Sequence, residues 1–122
     1  MLGVIVLVCS SATAQQKPKD MIFPSGRKIT ILAVQQVEAK DASGRFGSAL
    51  VLQYETKLKI RDAGRLSKEV DEIWPWLKVD VDHRKLAEAI IVVDSPGATS
   101  EKTFSFKKQP DGTWSRRNPD FN

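Results

Sequence analysis

The residues best suited to metal or acid–base chemistry are Asp80, Asp82 and His83, which lie close together near the predicted end of a helix. Two carboxylates and an imidazole could ligate a divalent cation or move a proton, as in a small metal-dependent or hydrolytic enzyme. A calcium loop beginning at Asp80 would need an oxygen ligand and a glycine where this chain has Arg84 and Lys85. A histidine at a helix end is more often a solvated residue that the helix dipole favours. We keep the enzyme as an alternative hypothesis and assign no catalytic or metal-binding residue.

Motifs of the larger enzyme classes are absent from the sequence. It contains no G-x-G-x-x-G, no phosphate loop ending in Lys-Ser or Lys-Thr, no G-x-S-x-G and a single histidine. Glu69 and Glu72 lie one helical turn apart and could be imagined as an acid–base pair. Several other charged residues crowd the same segment, which is typical of a charged, solvated helix face. The sequence therefore predicts no cofactor.

Two tryptophans flank a proline in this segment and form the first candidate binding surface. On an ideal helix Trp74 lies about 60° to one side of the apolar stripe and Trp76 about 100° to the other. We therefore expect Trp74 to join the core and Trp76 to lie at its boundary. An indole at such a boundary can anchor a ligand or a partner, although both indoles could simply seal the helix against a sheet.

Four cations near the end of the chain form the second candidate surface. Lys107 and Lys108 precede the turn signal Gln109-Pro110-Asp111-Gly112, and Arg116 and Arg117 follow it. If the flanking segments pair as a hairpin, the four charges meet on one ribbon and attract phosphate, lipid headgroups or an acidic polymer. Charges that only solubilise the chain and discourage edge pairing would show the same pattern.

Residue periodicity predicts the strands that must position these side chains. Strict alternation from Ser48 to Ile60 indicates a strand with one buried and one wet face, long enough to need a bend or bulge. If that strand neighboured the hairpin, its Lys57 and Lys59 would extend the basic surface. The predicted strands cover residues 28–39, 48–60, 87–93, 103–107 and 113–116.

One helix is predicted between the second and third strands. Asp62 is placed to cap it, and apolar residues recur at three- and four-residue steps as far as Val81. Pro75 lacks the N–H that would bond back to Asp71, so we expect a kinked helix from about Ala63 to about Asp82. The order β-β-α-β-β-β predicts an α+β fold, a largely antiparallel sheet of about five strands with the helix on one face.

The first fourteen residues predict an export signal, cleaved after Ala14. Leu2 to Val8 form an unbroken apolar run, and Ala12-Thr13-Ala14 has the small-x-small pattern that signal peptidase requires. The run is far shorter than the ~20 apolar residues of a membrane span, so no transmembrane segment is predicted. The alternatives are a short buried strand and a lipid-modified Cys9, and because no Lys or Arg precedes the run the translation start could lie upstream of Met1.

Composition fits one small exported domain in the periplasm or outside the cell. Cys9 is the only cysteine, so a chain cleaved after Ala14 has no disulfide, which leans towards a bacterial origin. Residues 15–20 are predicted to be a disordered lead and residues 21–122 a single α+β domain. The net charge of +4 predicts weak affinity for anionic surfaces and no dedicated nucleic-acid binding.

The segment from Tyr54 to Asp94 carries a resemblance. Its Glu69-Val70-Asp71-Glu72-Ile73-Trp74-Pro75, followed by Ala89-Ile90-Ile91, is similar to small exported bacterial proteins of unknown function. The resemblance implies export and assigns no activity or functional residue. Our leading hypothesis is a non-catalytic binding module of the cell envelope that contacts a protein or an anionic envelope component. A homodimer formed by pairing of sheet edges is compatible with it.

Overall fold

The computed structural model describes residues 18–40, 46–95 and 101–119, so the predicted export signal lies outside the described residues. Within them, six strands form one sheet, and one long helix packs on one face of it. The predicted α+β class is confirmed. The elements in chain order are β1 (Lys19–Ile22), β2 (Lys28–Lys40), β3 (Phe46–Glu55), α1 (Ala63–His83), β4 (Glu88–Asp94), β5 (Lys102–Lys108) and β6 (Trp114–Arg117).

The strands lie in the sheet in the same order as in the chain, from β1 to β6. Neighbouring strands are antiparallel except β3 and β4, which are parallel because α1 carries the chain back along the sheet between them. The prediction of a largely antiparallel sheet of about five strands is wrong. The sheet is mixed, and the described residues form six strands.

The strand that the sequence analysis missed is β1, which overlaps the predicted disordered lead. Lys19 and Asp20 are strand residues paired with β2, so the prediction is wrong for them, whereas residues 15–17 lie outside the described part of the chain. The Thr30 hydroxyl donates to Asp20 Oδ1 over 2.9 Å, and Lys28 Nζ lies 3.3 Å from Asp20 Oδ2. Main-chain pairing, these polar contacts and the packing of Met21 against the core hold this strand. One apolar contact in four residues leaves no apolar periodicity in the sequence.

A bulge lies in β2 rather than in β3, where strand length led us to expect one. The register shifts between the pairs Ile31–Tyr54 and Ala33–Gln53, and residues 31 and 33 therefore lie on opposite faces of the sheet. Because of the extra residue, one set of alternate positions of β2 faces the helix before the bulge, and its apolar side chains are buried there. After the bulge, the other set of alternate positions faces the helix.

Strand β3 ends at Glu55, not at the predicted Ile60. The Thr56 hydroxyl accepts a hydrogen bond from the Leu58 N–H over 3.0 Å, which turns the chain out of the sheet. Leu58 and Ile60 nevertheless pack against the core. Leu58 and Ile60 alternate with polar residues, so the sequence pattern that is typical of a strand continues through the turn that follows β3.

The core lies between α1 and one face of the sheet, which we call the helix face. The apolar stripe of α1 is fully buried, as predicted, and it packs on alternate residues of the central strands. On the other face, which we call the open face, side chains of β4 such as Ile90 and Val92 are only half-buried. The fully buried core side chains include Leu50, Leu52, Leu66, Val70, Ile73, Leu77, Val81, Ile91, Val93 and Phe104.

Helix α1 agrees with its prediction at both ends. The Asp62 side chain caps it by accepting a hydrogen bond from the Arg65 N–H over 3.4 Å, and the last helical residue is His83. The helix continues through Pro75, which is exposed on the side away from the sheet. Among the described residues, no helix is long and apolar enough to cross a membrane.

Candidate functional site

The predicted hairpin near the end of the chain is confirmed as β5 and β6. Gly112 has φ +90, a backbone conformation that glycine adopts more readily than other residues. Its N–H donates to the Gln109 carbonyl over 2.9 Å. The Asp111 carboxylate accepts hydrogen bonds from the Thr113 N–H over 3.0 Å and from its hydroxyl over 2.6 Å. These contacts fix the turn and with it the register of the hairpin.

The hairpin register divides the four predicted cations between the two faces of the sheet. Lys108 pairs with Trp114, while Arg116 pairs with the buried Phe106, so both cations belong to the helix face. Lys107 and Arg117 alternate with them and belong to the open face. The four charges thus share one hairpin without forming one cluster.

The expected extension of this surface by Lys57 and Lys59 does not occur. Both residues follow the end of β3, beside the end of β4 where Glu55 is in register with Asp94. The basic hairpin pairs with the opposite end of β4, because Lys107 is in register with Glu88. The two pairs of lysines therefore lie at opposite ends of the sheet.

An aromatic cluster holds α1 over the hairpin. The Trp74 ring stacks on Phe106 with a centroid distance of 4.0 Å and an interplanar angle of 6°. Trp74 also meets Trp114 edge-on, with centroids 5.1 Å apart and an angle of 69°. Trp74 and Trp114 both pack against the core while remaining partly exposed. Trp74 therefore lies where its helical position predicted, and Trp114 was missed as part of a site.

Arg116 ties the hairpin to the helix. Its guanidinium forms an ion pair with Asp71 of α1 and donates from Nε to Asn118 Oδ1 over 2.8 Å. It also lies over the Phe104 ring, 5.5 Å from the centroid. Three protein partners already occupy this side chain, so its contribution here is to orient β6 beneath α1.

A pocket of about 320 Å³ opens between the C-terminal end of α1 and the hairpin turn. We call it the lysine pocket. Lys78 Nζ lies 2.7 Å from Asp82 Oδ2, and Asp82 is the one carboxylate in the lining. The lining therefore offers Lys85 and Lys108 no carboxylate that is not already paired with Lys78. The volume of the pocket lies at the lower end of the range of small-molecule sites, which is about 300–1,000 Å³. The principal lining residues are Lys78, Lys85, Lys108, Asp82, Trp114 and Leu86.

The end of α1 positions Lys85 in the lysine pocket through an unusual backbone conformation. The Lys85 N–H donates to the Asp82 carbonyl over 3.0 Å, and the Leu86 N–H donates to the Val81 carbonyl over 3.1 Å, which closes a Schellman motif. Lys85 has φ 57, and it is the one non-glycine residue with positive φ in the described chain. Glycine is usual at this position because a side chain there costs about 1 kcal/mol.

A second depression of about 310 Å³ lies on the open face of the same hairpin. Its lining includes the cations Lys107, Arg116 and Arg117, of which Arg116 is paired with Asp71, and Glu88 lies directly across from Lys107 in the strand register. The carboxylate offsets part of the positive charge, so this depression attracts anions less strongly than the lysine pocket. Its lining includes Lys107, Arg117, Glu88, Ile90, Ser105 and Ser115.

Trp76 lies at the helix boundary, as its position predicted, and is 43% exposed. It is separated from Lys78 of the lysine pocket by about 160° around the helix axis. Its neighbours one turn away are Glu72, which is bonded to Arg27, and Asp80, which is bonded to Arg84. The structure therefore keeps the two predicted binding surfaces apart and surrounds Trp76 with paired charges.

The enzyme hypothesis based on Asp80, Asp82 and His83 gains no support from their geometry. Asp80 Oδ1 lies 3.0 Å from Arg84 Nε, and Asp82 is engaged by Lys78. The two carboxylates are also about 160° apart around the helix axis, and His83 is exposed. Among the described residues, no group of three or more His, Cys, Asp or Glu side chains could hold a metal ion.

A buried polar network beneath α1 was missed by the sequence analysis. Glu69 is only 2% exposed, so its assignment to a solvated face is wrong. The Tyr54 hydroxyl donates to Glu69 Oε1 over 2.8 Å, and Arg27 Nη1 lies 3.3 Å from Glu69 Oε2. Arg27 Nε donates to Glu72 Oε1 over 2.8 Å, and Ser25 donates to the same carboxylate. The available signal was that Glu69 lies within the apolar stripe, not opposite it.

This network is structural. The pKa of Tyr54 is raised far above its usual value of 10.0, mainly by burial of the hydroxyl and secondly by the adjacent Glu69 carboxylate. Hydrogen bonds from Ser25 and Arg27 lower the pKa of Glu72 from its usual 4.5. Every buried polar side-chain atom of the described residues has a hydrogen-bond partner. With all of its groups satisfied, the network joins the β1–β2 turn to α1 and leaves no atom directed at a ligand.

No protein-family model, curated protein or solved structure matches the chain. The resemblance of residues 54–94 to small exported bacterial proteins thus stays a prediction.

Proposed function

We propose that the chain is an exported, non-catalytic binding module that uses the β5–β6 hairpin to hold an anionic component of the cell envelope. The observation that supports it best is the lysine pocket, whose lining includes three lysines, one aspartate and the indole of Trp114. Electrostatic attraction to the lysines and contact with the indole both favour the binding of an anionic ligand. The apolar run and the small-x-small site of residues 1–14 support the compartment.

Of the two candidate surfaces, the hairpin is better suited to this function than the Trp76 boundary. Cations on both faces of the hairpin lie beside concave surfaces of about 320 and 310 Å³. Trp76 instead stands among Glu72 and Asp80, whose carboxylates are held by arginines. An anionic partner therefore meets positive charge at the hairpin and paired charge at Trp76.

The test of the function is sedimentation of the protein with a bacterial envelope fraction. We expect binding at low salt, where the Debye length is about 30 Å, and a large loss at about 1 M salt, where it is about 3 Å. The double variant Lys107→Glu with Lys108→Glu should reduce the bound fraction at least fivefold, because it reverses charge on both faces of the hairpin.

The matched control is Lys57→Glu with Lys59→Glu, which makes the same change of charge at the other end of the sheet. Both control positions are exposed, so no core packing is lost. The control should bind as the wild type does. Equal losses in the two double variants would show that only net charge matters and would contradict a binding role for the hairpin.

Export is tested separately by fractionation and by mass spectrometry of the protein made from the full sequence. We expect a chain that begins at Gln15 in the periplasm or the medium. A chain that keeps residues 1–14 and stays in the cytoplasm would contradict the proposed compartment while leaving the binding test unaffected.

A further inference from the structure

We infer that the lysine pocket is a phosphoryl-binding site that takes a phosphomonoester with its apolar portion against Trp114. The inference rests on the proposed function, because it names the ligand chemistry of the same hairpin. It specifies the charge of the ligand, the pocket wall that the apolar portion of the ligand contacts, and the role of Lys85.

The charge of the pocket matches a dianion. Its lining carries Lys78, Lys85 and Lys108 against the single carboxylate of Asp82, which leaves two positive charges in excess. A phosphomonoester carries a charge of about −1.5 to −2 near neutral pH, whereas a carboxylate or a phosphodiester carries only one negative charge. Ammonium groups bind phosphate as point charges with several donors each, so they need no planar, bidentate geometry.

The backbone at Lys85 is the second observation. Its left-handed conformation would be less strained with glycine, yet the chain has a lysine there, and this lysine lines the pocket. Strained residues persist at binding sites when the side chain is needed there. The strain at Lys85 therefore indicates a use for its ammonium beyond ending the helix.

The apolar wall of the pocket is held in place before any ligand arrives. The Trp114 ring meets Trp74 edge-on at 5.1 Å, and Trp74 is itself stacked on the buried Phe106 at 4.0 Å. Leu86, which packs against the core, completes this side of the pocket. A rigid wall loses little entropy on binding, so it favours a ligand with an apolar or aromatic carrier over a bare anion.

The experiment titrates the protein with phenyl phosphate and follows the indole N–H signal of Trp114 by NMR, assigned with Trp114→Phe. We expect saturable shifts, and weaker binding of inorganic phosphate because it cannot contact the indole. Lys85→Gln removes the charge and keeps the strained backbone, whereas Lys85→Gly removes both. Each should weaken phenyl phosphate binding by about fivefold, the scale of one exposed charge contact.

Stability separates loss of binding from loss of structure. Lys85→Gly should raise the Tm by about 4 °C, because glycine relieves the positive φ, and should still bind weakly. Lys59→Gln is the matched control at the other end of the sheet and should leave both binding and Tm unchanged. Wild-type binding by Lys85→Gly, or no binding of phenyl phosphate to the wild type, would overturn the inference.

The source of the phosphoryl group is distinguished with vesicles. Retention on phosphatidic acid vesicles that Lys85→Gly weakens would support a lipid phosphomonoester, whereas binding to phenyl phosphate alone would support a soluble one. Retention on phosphatidylglycerol vesicles as strong as on phosphatidic acid vesicles, with no effect of Lys85→Gly on either, would contradict a site specific for a phosphomonoester. If phenyl phosphate fails but envelope binding still depends on Lys107 and Lys108, the inference is wrong and the proposed function stands.

Discussion

At the scale of single residues, Glu69 shows how a charged side chain in an apolar stripe is accommodated. A buried carboxylate without partners would be strongly destabilising, and here Tyr54 and Arg27 both bond to it. The sequence could indicate that Glu69 faces the core, because it lies in register with Leu66 and Ile73. Its partners lie far from it in the chain and become neighbours only when β2, β3 and α1 assemble, so periodicity could not identify them.

The raised pKa of Tyr54 predicts loss of stability in alkali. The unfolded chain releases the phenolic proton near pH 10, while the folded chain keeps it to higher pH, so the unfolded state binds fewer protons in this range. The free energy of unfolding should therefore fall as the pH rises above about 10, by up to about 1.4 kcal/mol per pH unit. Urea denaturation at a series of pH values measures this slope.

Tyr54→Phe is the control for that prediction. It should lose this part of the alkaline slope, and at neutral pH it should be less stable by about 1 kcal/mol because the bond to Glu69 is gone. The chain has a single tyrosine, so phenolate absorbance reports Tyr54 alone. A phenolate signal with its midpoint near pH 10 in protein that is still folded would contradict the burial of the hydroxyl.

At the scale of elements, local signals were sufficient where cap, stripe and turn residues lie within a few positions of one another. The cap at Asp62, the apolar stripe of α1 and the turn at Gly112 all agree with their predictions. The end of β3 could not be predicted in this way, because Leu58 and Ile60 are partly buried by packing outside the sheet. Burial alone gives the same apolar pattern as strand pairing.

The two tryptophans of α1 give a prediction at this scale, since they differ in what they pack against. Trp74→Ala should destabilise the protein by about 3 kcal/mol, because it removes the stacking on Phe106 and the contact that fixes α1 over the hairpin. Trp76→Ala removes an indole that is 43% exposed and should cost less than about 1 kcal/mol. Urea denaturation of the two variants makes the comparison, and equal costs would contradict the packing described for Trp74.

At the scale of the whole molecule, the parallel pair follows from the length of the helix. The 21 residues of α1 extend about 31 Å, enough to return the chain along the 10 residues of β3. A strand that then pairs with β3 must run parallel to it. Periodicity indicated each element but not which strands are neighbours, so the direction of β4 was not predicted. The lysine pocket was hidden for the same reason, because Lys78 and Lys108 meet only after β4 and β5 are placed.

The same strand order predicts how stability is distributed. Strands β3 and β4 are paired on both sides, while β1 and β6 lie at the edges with four residues each. We expect native-state hydrogen exchange to be slowest for β3 and β4, near the free energy of global unfolding, and fastest for β1 and β6. Rapid exchange in β4 would contradict its central place in the sheet.

Hydrogen exchange also tests whether two copies pair through a sheet edge. An antiparallel pairing of two β6 strands would bring Arg116 and Arg117 of both copies close together, and like charges opposite one another destabilise strand pairs. Exchange in β6 should therefore be independent of protein concentration. Protection of β6 that increased with concentration, together with a doubled mass in sedimentation, would show that a partner strand overcomes this repulsion. The lysine pocket would then lie beside a dimer interface.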